Sequence, residues 1–359
     1  MKNTLVQNER LPHRTLWVDA CRGIAILLVL LGHNNPPFVR QIYGFHMPLF
    51  FILSGYVYKD KHTNFTLKEE LISLLKGYII PYLIFGCLNI ALHIIHLKVV
   101  VPSTIVSKEM IVIYLLGILT VNSTYMPCCY PMWFLPAFAI TMLAFYIIRN
   151  LPRRDLRAFV FVIVAIFTFY YCKRNRLLNM QAVVPGVLLV EVGYLLEHVD
   201  VIKKHILSRP LSEKKGLYEL KLIVMIIALL GLAYVGIHFN PVNPRVDMSY
   251  GSYGNIPLFF LGGIAASLVL MLFVILLGTI NNKIIKPFAF LGVHTVFFMA
   301  FDESTNSWGG TFLQNIYGSS YSPVWYTAYG VRLALMAIYL IVWLIILKII
   351  PPLKRITHS

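Results

Sequence analysis

Two basic side chains interrupt the apolar run DACRGIAILLVLLGH at residues 19–33, Arg22 near one end and His33 at the other. They stand eleven positions apart, which in a helix is three turns plus about 20°, with about 16 Å of rise. Both therefore lie on one face at different depths. Asp19, three residues before Arg22, shares that face and can offset its charge. His46 follows in YGFHMPLFFILSGYVYK, so two imidazoles approach the same level on consecutive segments. Near neutral pH such a pair can supply a general base and a hydrogen-bond partner. An ionisable group inside an apolar segment is costly and marks a pathway or a reaction site. The bland alternative is an arginine snorkelling to the interface and a histidine at the opposite water boundary. It accounts for Arg22 and His33 alone, and His46 weighs against it. Ser54 and Gly55 in the same segment are small enough for close helix contact.

The elements that carry these residues follow from composition. The chain has 359 residues, 58% hydrophobic and 13% charged, with a mean hydropathy of +0.73. A soluble domain could not cover that much apolar material, so the expected fold is an all-α, polytopic integral membrane protein. A spanning helix needs about 20 mostly apolar residues. About ten such segments can be marked, at 16–33, 42–58, 73–97, 132–148, 158–172, 180–197, 219–238, 256–280, 286–302 and 327–350. Ten spans place both termini on one side. Basic residues collect there, at Lys2 to Arg14, Lys59 to Lys76, Arg149 to Arg157, Lys203 to Lys215, Lys283 and Lys286, and Lys354 and Arg355, whereas 303–326 has no Lys or Arg. By the positive-inside rule the termini are cytoplasmic; the group Lys173, Arg174 and Arg176 is the one local exception.

No repeat or long linker divides the chain, so 1–359 reads as one transmembrane domain with a polar cytoplasmic segment, 1–15, that is not a cleavable signal. The loop 99–131 holds an apolar run, 110–121, too short to span, which reads as an interfacial or re-entrant helix. Topology accounts for most of the net charge of +16, which leaves little reason for a nucleic-acid partner. The five cysteines have no metal-ligand spacing. Cys21, Cys87 and Cys172 are expected to pack, and Cys128 and Cys129 sit on an outer loop without an evident disulfide partner. The outer loops are rich in Tyr, Trp, Asn and Ser, a mixture that suits the face and edge of a sugar and equally an interfacial aromatic belt. Trp133 carries the same two readings. Glu191 in VLLVEVGYLLE and Arg332 in YGVRLALMAIY are expected to pair with each other, to line the cavity, or to be satisfied by neighbouring helices.

The runs DACRGIAILLVLLGH and FHMPLFFILSGY, with IIPYLIFG at 79–86 and WFLPAF at 133–138, resemble the membrane-bound acyltransferase-3 family, in particular its fucose 4-O-acetylase-like branch. The resemblance covers essentially the whole chain. It implies transfer of an acyl group, usually acetyl, from cytosolic acyl-CoA to a hydroxyl of a glycan or lipid-linked sugar. Acetyl-CoA would be a co-substrate, no resident cofactor or metal would be held, and the location would be the inner membrane of a bacterium. His33 carries over as the essential histidine, Arg22 as its partner on the donor path and His46 as the second-helix histidine of the branch. Lys76 and Tyr78, before IIPY, lie where a CoA phosphate could meet a basic residue, although a positive-inside anchor explains Lys76 equally. One position departs from the pattern. Ten residues beyond the glycine of LGVHT, at 291–295, the branch commonly has a histidine, and this chain has Asp302, whose carboxylate can accept hydrogen bonds from sugar hydroxyls. His294 is expected only to cap its span. A transporter or flippase for a glycan, and a non-catalytic sensor or scaffold, are the competing readings.

Overall fold

The computed structural model describes residues 16–58, 66–122, 125–126, 129–171, 179–198, 215–318 and 320–349. The segment 1–15, Lys59, Lys61, Cys128, Cys172, the basic groups at 173–176 and 203–214, and Lys354 and Arg355 lie outside the described residues. The described chain is all-helical and has no strand. In order the helices are α1 (Leu16–Gly32), α2 (Val39–Val57), α3 (Leu67–Leu74), α4 (Ile80–Val100), α5 (Lys108–Thr120), α6 (Phe134–Arg149), α7 (Arg154–Tyr171), α8 (Met180–His198), α9 (Lys215–His238), α10 (Ile256–Ile280), α11 (Asn282–Val293), α12 (Thr295–Tyr317) and α13 (Trp325–Ile349).

Helix starts follow their caps. Thr66 and Glu69 form a reciprocal capping box on α3, with Glu69 N donating to Thr66 Oγ1 (3.3 Å) and Thr66 N to Glu69 Oε2 (2.7 Å). Ser107 accepts from Met110 N at the start of α5, and Asn255 from Leu258 N at the start of α10. A five-residue π-turn, Leu75–Ile79, joins α3 to α4, so that Leu67–Val100 runs as one apolar helix.

Six helical runs are long and apolar enough to cross a membrane: Leu67–Val100, Tyr130–Arg149, Met180–His198, Tyr218–His238, Ile256–Ile280 and Trp325–Ile349. A bent pair, α11 and α12, makes a seventh. The sequence segments 16–33, 42–58 and 158–172 form α1, α2 and α7. These are shorter or more polar: α1 has 17 residues, α2 carries Arg40 and His46, and α7 opens on Arg154 and Asp155. Most of α1 and α2 is buried against other helices, where lipid does not set the required apolarity. The expected span 286–302 and loop 303–326 need correction. The helix breaks at His294 by 71°, and α12 then continues to Tyr317. His294 stands at the N-cap of α12.

Lipid is as apolar as leucine, so small residues rather than hydrophobicity bring such helices together. The closest pairings here rest on reciprocal glycines. In α1 and α11, a Cβ on Gly23 would overlap the backbone carbonyl of Phe288, and one on Gly292 that of Asp19. In α2 and α8, Gly55 abuts the carbonyl of Val190 and Gly193 that of Ile52. α1 and α2 also touch each other and form the centre of the bundle; α10 covers α2, α9 covers α10, and α12 lies between α4 and α13.

Candidate active site

At the His33 end of α1 the segment after α9 folds back over the bundle. Arg40 ties it down by donating Nε to Ile237 O (3.2 Å) and Nη2 to Asn240 O, carbonyls at the end of α9. Asn240 holds both arms of the return, with Nδ2 donating to Tyr253 O (2.9 Å) and Oδ1 accepting from Asn255 N (2.8 Å). Gly254, at φ +64°, lies so close to that Oδ1 that only a glycine fits. The guanidinium of Arg245 stacks 3.9 Å from the ring centroid of Tyr43 and donates to Asn35 Oδ1 (2.7 Å). The loop is thus fastened to α2 and to the connection between α1 and α2, and Tyr253 OH, donating to Gln181 O (2.8 Å), fastens it to α8.

Beneath it is an open cleft. Its walls include His33, His46, Tyr130, Trp133, Asp247 and Ser249. Behind His33 sits a carboxylate. Asp302, 0% exposed on α12, contacts Nδ1 of His33 through Oδ2. Its other oxygen, Oδ1, lies 3.6 Å from Nη1 of Arg332 on α13, an ion-pair distance too long for a hydrogen bond. Arg332 is 1% exposed, and the same Nη1 donates to Leu30 O (3.1 Å) in the last turn of α1. Carboxylate, guanidinium and imidazole therefore connect α12, α13 and α1 around one buried point.

The two imidazoles present the same atom type to the cleft. A carboxylate only accepts, so Nδ1 of His33 carries the proton and Nε2 keeps a lone pair. His46, 3% exposed, donates Nδ1 to Ile42 O (2.8 Å), which also leaves its Nε2 as an acceptor. The ring of Tyr43 lies between them, 6.2 Å from His33 and 4.8 Å from His46 by centroids. Two acceptor nitrogens facing a shared cleft suit removal of a proton from a hydroxyl. With its buried carboxylate, His33 has the pattern of an oriented base; His46, in this tautomer, accepts rather than donates.

Sequence reasoning did not single out Asp247. Its Oδ1 accepts from Ser249 N (3.0 Å) and Ser249 Oγ (2.5 Å), and Ser249 Oγ also meets Tyr130 OH (2.5 Å). The signal available was a lone carboxylate within the aromatic and amide-rich stretch 239–255.

Trp133 comes to the cleft, at the 3-10 turn Tyr130–Trp133 that opens α6. Asp19 reaches Arg22 at 3.4 Å, as their spacing requires. That pair lies nearer the opposite end of α1. Lys76 is exposed on the π-turn, and Tyr78, on the same turn, packs its ring 4.9 Å from Phe138; neither lines the cleft. The pairing of Glu191 with Arg332 is corrected. Glu191 meets Arg149 at 3.6 Å, whose guanidinium covers Tyr194 at 3.7 Å, while Arg332 meets Asp302. The reason is placement: α8 packs on α2, α6 and α7, and α13 on α12. Asp302 is likewise not on the cleft wall but behind His33. Cys21 and Cys129 are buried, and Cys87 is exposed.

Several of the helices fit to cross a membrane surround a cleft lined by the two imidazoles. The family model for the acyltransferase domain matches residues 15–196, just over half of the chain, and the chain belongs to the acyltransferase-3 family. It is therefore an acyltransferase with several helices fit to cross a membrane. The matched segment holds Arg22, His33, His46 and Trp133; Asp247, Asp302 and Arg332 lie beyond it. No curated protein and no solved structure matches the chain.

Proposed function

We propose that the protein transfers an acyl group, acetyl in the first instance, from cytosolic acyl-CoA to a hydroxyl of a glycan or lipid-linked sugar, with His33 as general base. The contact between Asp302 and Nδ1 of His33 carries this reading, because it fixes the tautomer that leaves a lone pair at the cleft. The acceptor oxygen bonds to the thioester carbonyl carbon as His33 Nε2 takes its proton. The carbon–sulfur bond then breaks, and the proton passes from His33 to the departing CoA thiolate, so the products are an ester and free CoA. His46 accepts a hydrogen bond from the sugar, and Asp247 and Trp133 bind its edge and face. Arg22, with Asp19, stands on the donor path about 16 Å below.

In this reading the chain spans a bacterial inner membrane about ten times with both termini inside, α1 and α2 being enclosed spans. The Arg22 end of α1 then faces cytosolic acyl-CoA and the cleft opens to the opposite side. The fucose 4-O-acetylase-like branch suits this arrangement through Arg22, His33 and His46.

Membrane vesicles containing the protein and their native glycans, supplied with radiolabelled acetyl-CoA, test it. Base-labile label on glycan supports the reading. Sugar movement across the vesicle wall without acyl-CoA, and no labelled glycan, overturns it in favour of transport.

A further inference from the structure

The cleft is rich in proton acceptors, and acyl transfer also needs a donor. As a hydroxyl oxygen adds to a thioester carbonyl, negative charge develops on the carbonyl oxygen, and a hydrogen-bond donor placed there lowers the barrier. Most polar side chains of the cleft have no proton to offer. His33 commits its Nδ1 proton to Asp302, and His46 its own to Ile42 O. Asp247 only accepts, and Ser249 Oγ gives its one proton to it (2.5 Å). Tyr130 OH, 2.5 Å from the same Oγ, is then the donor of that pair.

Two side-chain protons on the cleft wall remain, on the hydroxyl of Tyr43 and the indole nitrogen of Trp133; neither group has a hydrogen-bond partner among the described residues. Tyr43 is the better placed. Its ring lies between the imidazoles, and Gly32, the residue before His33, lets it approach α1. A Cβ on Gly32 would stand 2.9 Å from Tyr43 Cε2, the ring carbon next to the one that bears the hydroxyl. The hydroxyl end of the ring is thus packed at the last turn of α1. Only 8% of Tyr43 is exposed, yet its oxygen is not sealed off.

Arg245 completes the arrangement. Its guanidinium covers the Tyr43 ring at 3.9 Å and is held there by Asn35 Oδ1 (2.7 Å). A cation in this position favours negative charge beside the hydroxyl and leaves the hydroxyl itself uncommitted. A ring that only packed would be served as well by phenylalanine, and a hydroxyl this buried is costly without a partner.

We infer that Tyr43 is a further catalytic residue, whose hydroxyl donates a hydrogen bond to the thioester carbonyl oxygen as charge develops on it. This rests on the acyl-transfer reading above. The acceptor oxygen joins the carbonyl carbon, its proton goes to His33 Nε2, and the carbonyl electron pair moves onto the oxygen that Tyr43 holds without giving up its own proton. The carbonyl then re-forms as the carbon–sulfur bond breaks. The test is labelling of native glycans in membrane vesicles containing the full-length protein, with radiolabelled acetyl-CoA varied across its KM and rates referred to the amount of inserted protein. Tyr43→Phe keeps the ring and its stack on Arg245. Its maximal rate should fall about 10²–10³-fold with the acetyl-CoA KM within about threefold of wild type. Thermal unfolding should not change, because the hydroxyl has no partner to lose. A maximal rate within about threefold of wild type, or a loss that tracks a lowered unfolding temperature, overturns this inference and leaves the acyl-transfer reading standing. So does a loss in Trp133→Phe that is absent from Tyr43→Phe, which would make the indole the donor. No labelled glycan with wild type contradicts the acyl-transfer reading and takes this inference with it.

Discussion

Asp302 meets Nδ1 of His33 across 269 positions of sequence, from a helix that reaches α1 only because the chain turns by 71° at His294. The contact converts a histidine at a helix end into one with a fixed tautomer. Asp302→Asn keeps the shape but no longer holds the imidazole in one form. Loss of such a carboxylate from a catalytic histidine costs up to about 10⁴ in kcat. For this protein the expected fall is about 10²–10⁴ in kcat with little change in either KM, read from steady-state acetyl transfer by purified protein. Activity within threefold of wild type would remove Asp302 from the mechanism.

Arg332 is the second buried charge at this point, and its effect should be on stability as well as rate. Arg332→Met leaves Asp302 without its cation, and breaking a buried ion pair costs about 3–5 kcal/mol. The double variant Asp302→Asn/Arg332→Met removes both charges and should recover most of that stability while remaining inactive. Unfolding of the three variants in detergent, beside wild type, gives the coupling directly. Additive losses would mean that the two residues do not act as a pair.

Part of this was legible in the sequence. Eleven-residue spacing places Arg22 and His33 on one face, and three-residue spacing brings Asp19 to Arg22, because both depend only on local helix geometry. The apolar runs gave the helices for the same reason. Partners across helices depend on tertiary placement, and there sequence reasoning failed. Glu191 looked like a partner for Arg332, yet α8 and α13 lie against different neighbours. Asp302 looked like a sugar contact because it stands where the resembling branch commonly has a histidine, and nothing local shows that α12 brings it against His33 instead. Asp247 was passed over because nothing local distinguishes a carboxylate in a folded loop from one in solvent.

The glycine contacts make a separate prediction about assembly. Gly23→Ala and Gly55→Ala each push a methyl group into a backbone carbonyl that cannot rotate away, so α1 must part from α11, or α2 from α8. Overpacking of this kind costs about 1–3 kcal/mol or more. Gly231→Ala in α9 meets nothing within 4 Å and is the control. Thermal unfolding should drop for the first two and stay level or rise for the third. Equal behaviour of all three would contradict the close helix approach.

Asp247 should affect the acceptor and not the donor. Asp247→Ala removes the carboxylate from the cleft wall and releases Ser249, and the expected result is an acceptor KM raised about tenfold or more with the acetyl-CoA KM unchanged. The opposite pattern, a raised acetyl-CoA KM alone, would move the donor to this end of the cleft.

The central claim is that His33 is the base of acyl transfer. The most direct measurement is incorporation of label from acetyl-CoA into glycan by vesicles containing wild type or His33→Ala, with insertion of both proteins checked by protease accessibility. The account predicts label with wild type and background with His33→Ala, at equal amounts of inserted protein. Label at the wild-type rate with His33→Ala would contradict it.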